Sequence, residues 1–204
     1  MAAAPRDRYT AIAVTLHWLI ALAIVGMIFA GWWMTSAIDD PKTKVTAFRV
    51  YQVHKSTGLT ILMLSLFRLA WRLMHKVPPL PEGMPAWEKL GARASHILFY
   101  VIMIVMPLSG WLYASTAWNV EKGHAFNMPT IYYGLFQIPH IPGLAELPDA
   151  QRAATANVFM VTHEKLAWFT LTLLALHVGA ALKHHVFDRD DVLTRMLPFL
   201  KPRA

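Results

Sequence analysis

Four stretches of this 204-residue chain stay apolar for about the thickness of a lipid bilayer. They cover about 11–34 ("AIAVTLHWLIALAIVGMIFAGWWM"), 51–73 ("YQVHKSTGLTILMLSLFRLAWRL"), 94–115 and 158–185. A helix crosses the hydrocarbon with ~20 such residues, and only helices or closed barrels satisfy every backbone polar group there. The sequence therefore predicts an all-α membrane protein, a four-transmembrane-helix bundle. The second stretch is the least apolar, because Lys55 and Arg68 sit inside it. Composition agrees: 56% of residues are hydrophobic and only 15% are charged. The first stretch is too long for a signal-peptide core and no small-residue cleavage site follows it, so it reads as helix 1.

Basic residues set the expected orientation. With the N-terminus inside, twelve Lys and Arg fall on the inner side, among them Arg6, Arg8, Arg68, Arg72, Lys201 and Arg203. Seven fall outside: Lys42, Lys44, Arg49, Lys55, Lys122, Arg152 and Lys165. The bias predicts cytoplasmic N- and C-termini. The formal charge of +7 then follows from topology, and no nucleic-acid partner is needed to explain it. With no cysteine, the chain has no disulfide framework, no Cys-ligated iron–sulfur cluster and no covalent haem attachment.

One domain is expected over 1–204, since four helices of this length cannot form two independent cores. The connection between helices 2 and 3 is proline-rich ("KVPPLPEGMPAW"). The outer connection, about 116–157, carries "FNMPTIYYGLFQIPHIPGL", apolar and aromatic but broken by prolines that forbid a continuous helix. A solvated loop has no need of such residues. The segment is expected to lie on the outer membrane surface and cover something.

The chain has ten histidines, and the apolar stretches hold His17, His54, His96, His163 and His177, with His184 and His185 at the last exit. An ionisable group inside a span is costly and usually functional. Fourteen residues separate His163 from His177, ~21 Å along a helix and within ~40° of the same face. His17 lies ~9 Å from the inner start of helix 1, and His177 ~12 Å from the exit at His185 on the same side. His54 and His163 both lie near outer helix starts. The histidines thus form an inner and an outer layer. A six-coordinate haem takes one axial nitrogen from each face, which facing helices supply. The outer pair is His54 with His163; His17, His96 and His177 all reach the inner layer. Gly58 and Gly179, close to His54 and His177, are candidates for letting a flat ring approach the backbone. Other metal readings are weaker. "HEKLA" lacks the second histidine of H-E-x-x-H, and "KHHVFD" lacks a third zinc ligand.

These segments resemble the bacterial cytochrome b561 family. The resemblance rests on "RYTAIAVTLHWLIAL", "VYQVHKSTGLTILMLSLFRLAWRL", "SHILFYVIMIVMPLSGWL", "YYGLFQIPHIPGL", "THEKL" and "LHVGAALKHHVFDRDDVLTRMLP". It implies a bundle enclosing two b haems in the bacterial inner membrane, with iron ligated by His54 and His163 outside and by His17 and His177 inside. His96 is left as a non-ligand or a quinone neighbour. It also implies electron transfer between an outer donor and ubiquinone. The donor is superoxide, which makes the chain a superoxide oxidase, or else a periplasmic dehydrogenase, hydrogenase or haem protein. Lys55 and Lys165 are candidates for steering superoxide, since opposite charges raise encounter rates. Quinone reduction also needs protons, for which His96, His184 and His185 are inner-side candidates. Arg68 and Arg72 are expected to pair haem propionates or lipid phosphates.

Overall fold

The computed structural model describes residues 8–197. It holds four helices long and apolar enough to cross a membrane: α1 Ala11–Ala37, α2 Lys44–Met74, α3 Ala86–Ser115 and α4 Asp149–Lys183. A π-helical turn, His184–Asp188, continues α4. Arg6, Lys201 and Arg203, which entered the orientation argument, lie outside the described residues.

Every helix is longer than its apolar stretch. Polar turns such as "KVTAFRV" before 51, "AWEKLGAR" before 94 and "DAQRAATAN" before 158 are helical although hydropathy leaves them out. A helix already nucleated by its membrane segment extends at little cost, even through residues of middling propensity. Local chemistry sets several ends. The Thr10 hydroxyl accepts a hydrogen bond from the Ala13 N–H at 3.3 Å and caps α1. Pro85 and Pro148 stand extended immediately before α3 and α4. Prolines are tolerated at a helix entrance because the first N–H groups have no intrahelical partner.

Neighbours in sequence pack together: α1 with α2, α2 with α3, and α3 with α4. The bundle is thus two helix pairs, α1/α2 and α3/α4, and a seam runs between α4 and the first pair. Fully buried positions hold small hydroxyl residues, including Ser56, Ser65, Ser115, Thr116 and Thr170. Large apolar side chains such as Leu19, Phe29, Met63 and Leu176 face outward. Soluble cores reverse this arrangement. In lipid, outward apolar surface costs nothing and small residues let helices approach closely. Ile20, Ile61 and Met103 form a buried cluster at mid-height, packed against Met27, Leu64 and Phe99.

The connection expected to be one loop over 116–157 differs in two ways. Its last part, from Asp149, belongs to α4. The rest forms two small antiparallel hairpins, β1 Trp118–Asn119 with β2 His124–Ala125, and β3 Thr130–Tyr132 with β4 Phe136–Ile138. The second turns through left-handed Tyr133 (φ 46°) and Gly134 (φ 80°). It docks on α2 through a polar row at i, i+4 and i+8. Gln52 donates to Pro129 O at 2.9 Å and accepts from Ile131 N–H at 3.1 Å. Ser56 donates to Ile131 O at 3.2 Å and accepts from Tyr133 N–H at 3.0 Å. Thr60 meets Tyr132 Oη at 2.9 Å. An unpaired strand edge is costly near lipid, and α2 side chains satisfy this one. From α3, Trp111 donates to Pro139 O at 3.2 Å, so the connection bridges α2 and α3.

Candidate functional site

The histidines face one another across the seam at two heights. Near the end that carries the hairpins, the His54 ring of α2 stands 6.1 Å from the His163 ring of α4, centre to centre. Near the other end, the His17 ring of α1 stands 6.2 Å from the His177 ring. The planes are inclined at 64° and 61°. With metal–nitrogen bonds of about 2 Å and a ring radius of about 1.2 Å, two imidazoles on opposite sides of one metal would stand about 6.4 Å apart. Both pairs match this spacing before any metal is considered. The Ile20–Ile61–Met103 cluster fills the bundle between the two heights.

The hairpin-end pair is the more completely built. His163 Nδ1 lies 3.1 Å from both Met106 O and Ser109 Oγ of α3. A proton on Nδ1 donated to the carbonyl leaves Nε2 with its lone pair, the tautomer a metal requires. Gly110 makes room for the ring, since a Cβ there would stand 3.0 Å from His163 Cε1 and 3.2 Å from Nδ1. Across the seam, a Cβ at Gly31 would stand 3.6 Å from His54 Cε1. His54 Nδ1 is buried with no hydrogen-bond partner. Gly31 and Gly110, then, border the rings. Of the glycines singled out from sequence, Gly179 leaves open space, with nothing within 4 Å of a Cβ built there, and a Cβ at Gly58 would stand 3.7 Å from Met27 Cε. Because His163 is held through Nδ1, it cannot give way to a larger neighbour. Gly110→Val should therefore cost about 1–3 kcal/mol of stability by overpacking. It should also loosen any group held at His163, read as lower haem content than in a Gly26→Ala control, where a Cβ meets nothing within 4 Å.

At the other end His177 has two imidazole neighbours, because the His96 ring lies 6.1 Å away at 65°. Spacing alone does not choose between His17 and His96. Arg68 adds information. Its Nη2 lies 3.4 Å from His17 Nδ1, and its guanidinium stands 5.6 Å over the Tyr100 ring. A guanidinium only donates, so Nδ1 accepts here and the His17 proton sits on Nε2. Metal binding through Nε2 requires Arg68 to turn to another acceptor. A carboxylate of the bound group supplies one. Beside it Tyr9, Arg72, His75, Lys76 and Tyr100 line a cavity of about 30 Å³. The residues present therefore fit a flat, metal-centred group with acidic side arms.

The cations expected near the hairpin end are otherwise engaged. Lys55 donates to Pro129 O at 2.7 Å and Met128 O at 3.2 Å, which pins the β3 segment to α2. Lys165 is exposed, two residues and ~200° around α4 from His163, so it points away from the seam. Lys122 pairs with Asp39 at 2.8 Å. Burial first, and then the Lys55 charge, hold the His140 imidazole below its ordinary range, so it adds no positive charge at neutral pH. His184, at the exit of the last span, is buried among carboxylates.

Residues 8–199 match the family described as prokaryotic cytochrome b561. The chain is 34% identical over 194 residues to cytochrome b561 homolog 2 of Escherichia coli K12, covering 94% of this chain and 92% of that protein. It is 26% identical over 199 residues to cytochrome b561 homolog 1 of the same organism, covering 94% and 98%. It is also 28% identical over 197 residues to a Yersinia pestis protein named probable superoxide oxidase CybB, covering 94% and 96%. With four membrane-length helices and this match across nearly its whole length, the chain belongs to the prokaryotic cytochrome b561 family of multi-pass, haem b membrane electron carriers.

Proposed function

We propose that this chain, as one domain, holds two b haems, His54 with His163 at the hairpin end and His17 with His177 at the other. The observation that carries this is the pair of imidazole couples at 6.1 Å and 6.2 Å, stacked along one seam. His17 rather than His96 would partner His177, by analogy with the across-seam pairing of His54 with His163. His17 stands across the seam, as His54 does, while His96 belongs to the helix packed beside α4. When bound, the haem irons supply one-electron chemistry at two depths. The protein orients the rings, packs apolar side chains between the layers and offers Arg68 and Arg72 to acidic groups. With both termini in the cytoplasm of a bacterial inner membrane, the hairpin end faces the periplasm.

The overall reaction we infer is oxidation of two superoxide anions to two dioxygen, with one ubiquinone and two protons becoming ubiquinol. The resemblance and the Yersinia pestis relative's name support superoxide as donor. A second reading, a carrier that accepts electrons from a periplasmic redox protein, is favoured by one observation. Lys55 is tied to loop carbonyls and Lys165 faces outward, so neither concentrates an anion at the seam. Liposomes containing the protein and ubiquinone separate the two. Superoxide supplied outside should give ubiquinol and dioxygen in a 1:2 ratio, faster at low salt and without hydrogen peroxide from dismutation. If ubiquinol forms only when a reduced partner protein is added, the enzyme reading fails and the carrier reading stands.

A further inference from the structure

The β3–β4 hairpin docks on α2 well inside the membrane-length part of that helix. Gln52, Ser56 and Thr60 follow one another at four-residue steps, whereas His54 sits ~200° around α2 from both Gln52 and Ser56. The hairpin therefore packs on the side of α2 turned away from the histidine seam. Ser56 is ~7.5 Å past the start of the apolar stretch at 51, and Thr60 ~13.5 Å past it. Half of a hydrocarbon core is ~15 Å. The neighbouring helix gives the same depth. Gly58 faces Met27 of α1, which lies ~15 Å before that helix ends at Ala37. At this level the Tyr133 N–H reaches Ser56 Oγ at 3.0 Å, and the Tyr132 and Tyr133 hydroxyls lie 2.9 Å and 3.2 Å from Thr60 Oγ1. The chain returns along α3, where the Ile141 N–H donates to Ser115 Oγ at 3.0 Å. Residues 129–141 thus descend beside α2, turn at Gly134 and climb back to the end of α3.

Non-helical backbone at such a depth has to meet its polar groups without water. This hairpin does so. β4 pairs with one edge of β3, and Gln52 and Ser56 take up the other. The turn closes through the Leu135 N–H, which donates to Tyr132 O at 2.9 Å. Charge is excluded as well, since no Asp, Glu, Lys or Arg occurs between Lys122 and Glu146. The side turned away from α2 is apolar at its tip: Leu135 and Phe136 are 77% and 54% exposed. Exposed apolar groups of this kind mark a protein or membrane contact. A surface for a soluble partner carries a polar rim. Here the polar atoms beside the tip point the other way, because both tyrosine hydroxyls are turned inward onto Thr57 and Thr60.

We propose that the β3–β4 hairpin is a re-entrant membrane element, its tip sunk into the leaflet at that end of the bundle and Leu135 and Phe136 seated among lipid acyl chains. The hairpin shields the polar row of α2 from lipid, and the row satisfies the hairpin in return. A segment whose sequence suggests a place on the membrane surface thus enters the hydrocarbon. The inference rests on the four membrane-length helices and not on the haem reading. It also leaves a soluble electron donor to dock elsewhere at this end, because the tip is out of the water.

The chain has no cysteine, so single-cysteine variants report local solvation without a background. The test uses haem-loaded protein reconstituted into phosphatidylcholine vesicles, with the haem spectrum as the check on folding. Leu135→Cys and Phe136→Cys should react with a charged, membrane-impermeant maleimide at least about tenfold more slowly than Lys42→Cys, because hydrocarbon disfavours the reactive thiolate. Lys42 is exposed in the α1–α2 connection at the same end of the bundle, so vesicle orientation affects all three alike. Unfolding in dodecyl sulfate should bring the rates together. A photoreactive p-benzoylphenylalanine at position 135 should give, on illumination, a phospholipid adduct in the intact mass. Leu135→Cys reacting as fast as Lys42→Cys would overturn the proposal, because the tip would then stand in water. So would slow reaction combined with a chain-to-chain cross-link in place of the lipid adduct, because a second copy would then be what covers the tip.

Discussion

Replacing His163 with alanine should lower the haem content of purified protein from two per chain to one. The ring is positioned by three features at once: the Met106 carbonyl, the Ser109 hydroxyl and the space left by Gly110. None of them can be taken over by another side chain. His54→Ala should remove the same haem, and the double variant should lose no more than either single one. The second haem should stay because its histidines lie about 21 Å away along α4, well beyond the 7–10 Å within which substitutions usually couple. A pyridine haemochrome assay against protein concentration reads the ratio. Low-temperature electron paramagnetic resonance reads whether the remaining iron is low-spin, as two imidazoles make it. Retention of both haems in His163→Ala would show that the 6.1 Å spacing is incidental. Loss of both in every variant would mean that the seam folds around its haems as one unit.

That experiment tests the part of the site most legible in the sequence. Helix rise is fixed, so residue spacing converts to depth, and two imidazole heights can be read from the sequence: His54 with His163 at one, and His17, His96 and His177 at the other. The spans were legible for a related reason, because hydrocarbon tolerates only continuous apolar helix. The ends were not, because polar turns such as "AWEKLGAR" leave the bilayer and no longer answer to hydropathy. Contacts that depend on the rotation of one helix against another were equally hidden. The bond from Ser109 to His163 joins residues 54 apart, and that from Lys183 to Glu88 joins residues 95 apart. Spacing on one helix does not say which face of α3 meets α4. The hairpin is an intermediate case. Gln52, Ser56 and Thr60 form an i, i+4, i+8 polar row on an apolar helix, and such a row signals that something polar docks there. Its partner, the edge of β3, has no comparable pattern.

The inner layer sets the second large effect, because there the geometry offers two answers. His17→Ala should remove the second haem, whereas His96→Ala should keep both, although each ring stands about equally far from His177. The difference lies in the helices. α3 packs directly on α4, so His96 approaches His177 from within one helix pair, while His17 approaches across the seam. The second arrangement is the one His54 and His163 share at the other height, so His17 would be the residue that holds the group with His177. Arg68 sharpens the test. It holds His17 Nδ1 as donor, which is the wrong tautomer for binding through Nε2, and it must exchange this contact for an acidic partner when the group binds. Arg68→Leu removes both the competing contact and the acidic partner's cation. It should leave a haem that is present but more easily lost on dilution, with a lower reduction potential because a nearby positive charge favours the reduced form. His17→Ala should instead leave no second haem to titrate. Should His96→Ala be the variant that loses a haem while His17→Ala keeps both, α3 is the ligand helix and the seam rule fails at this end.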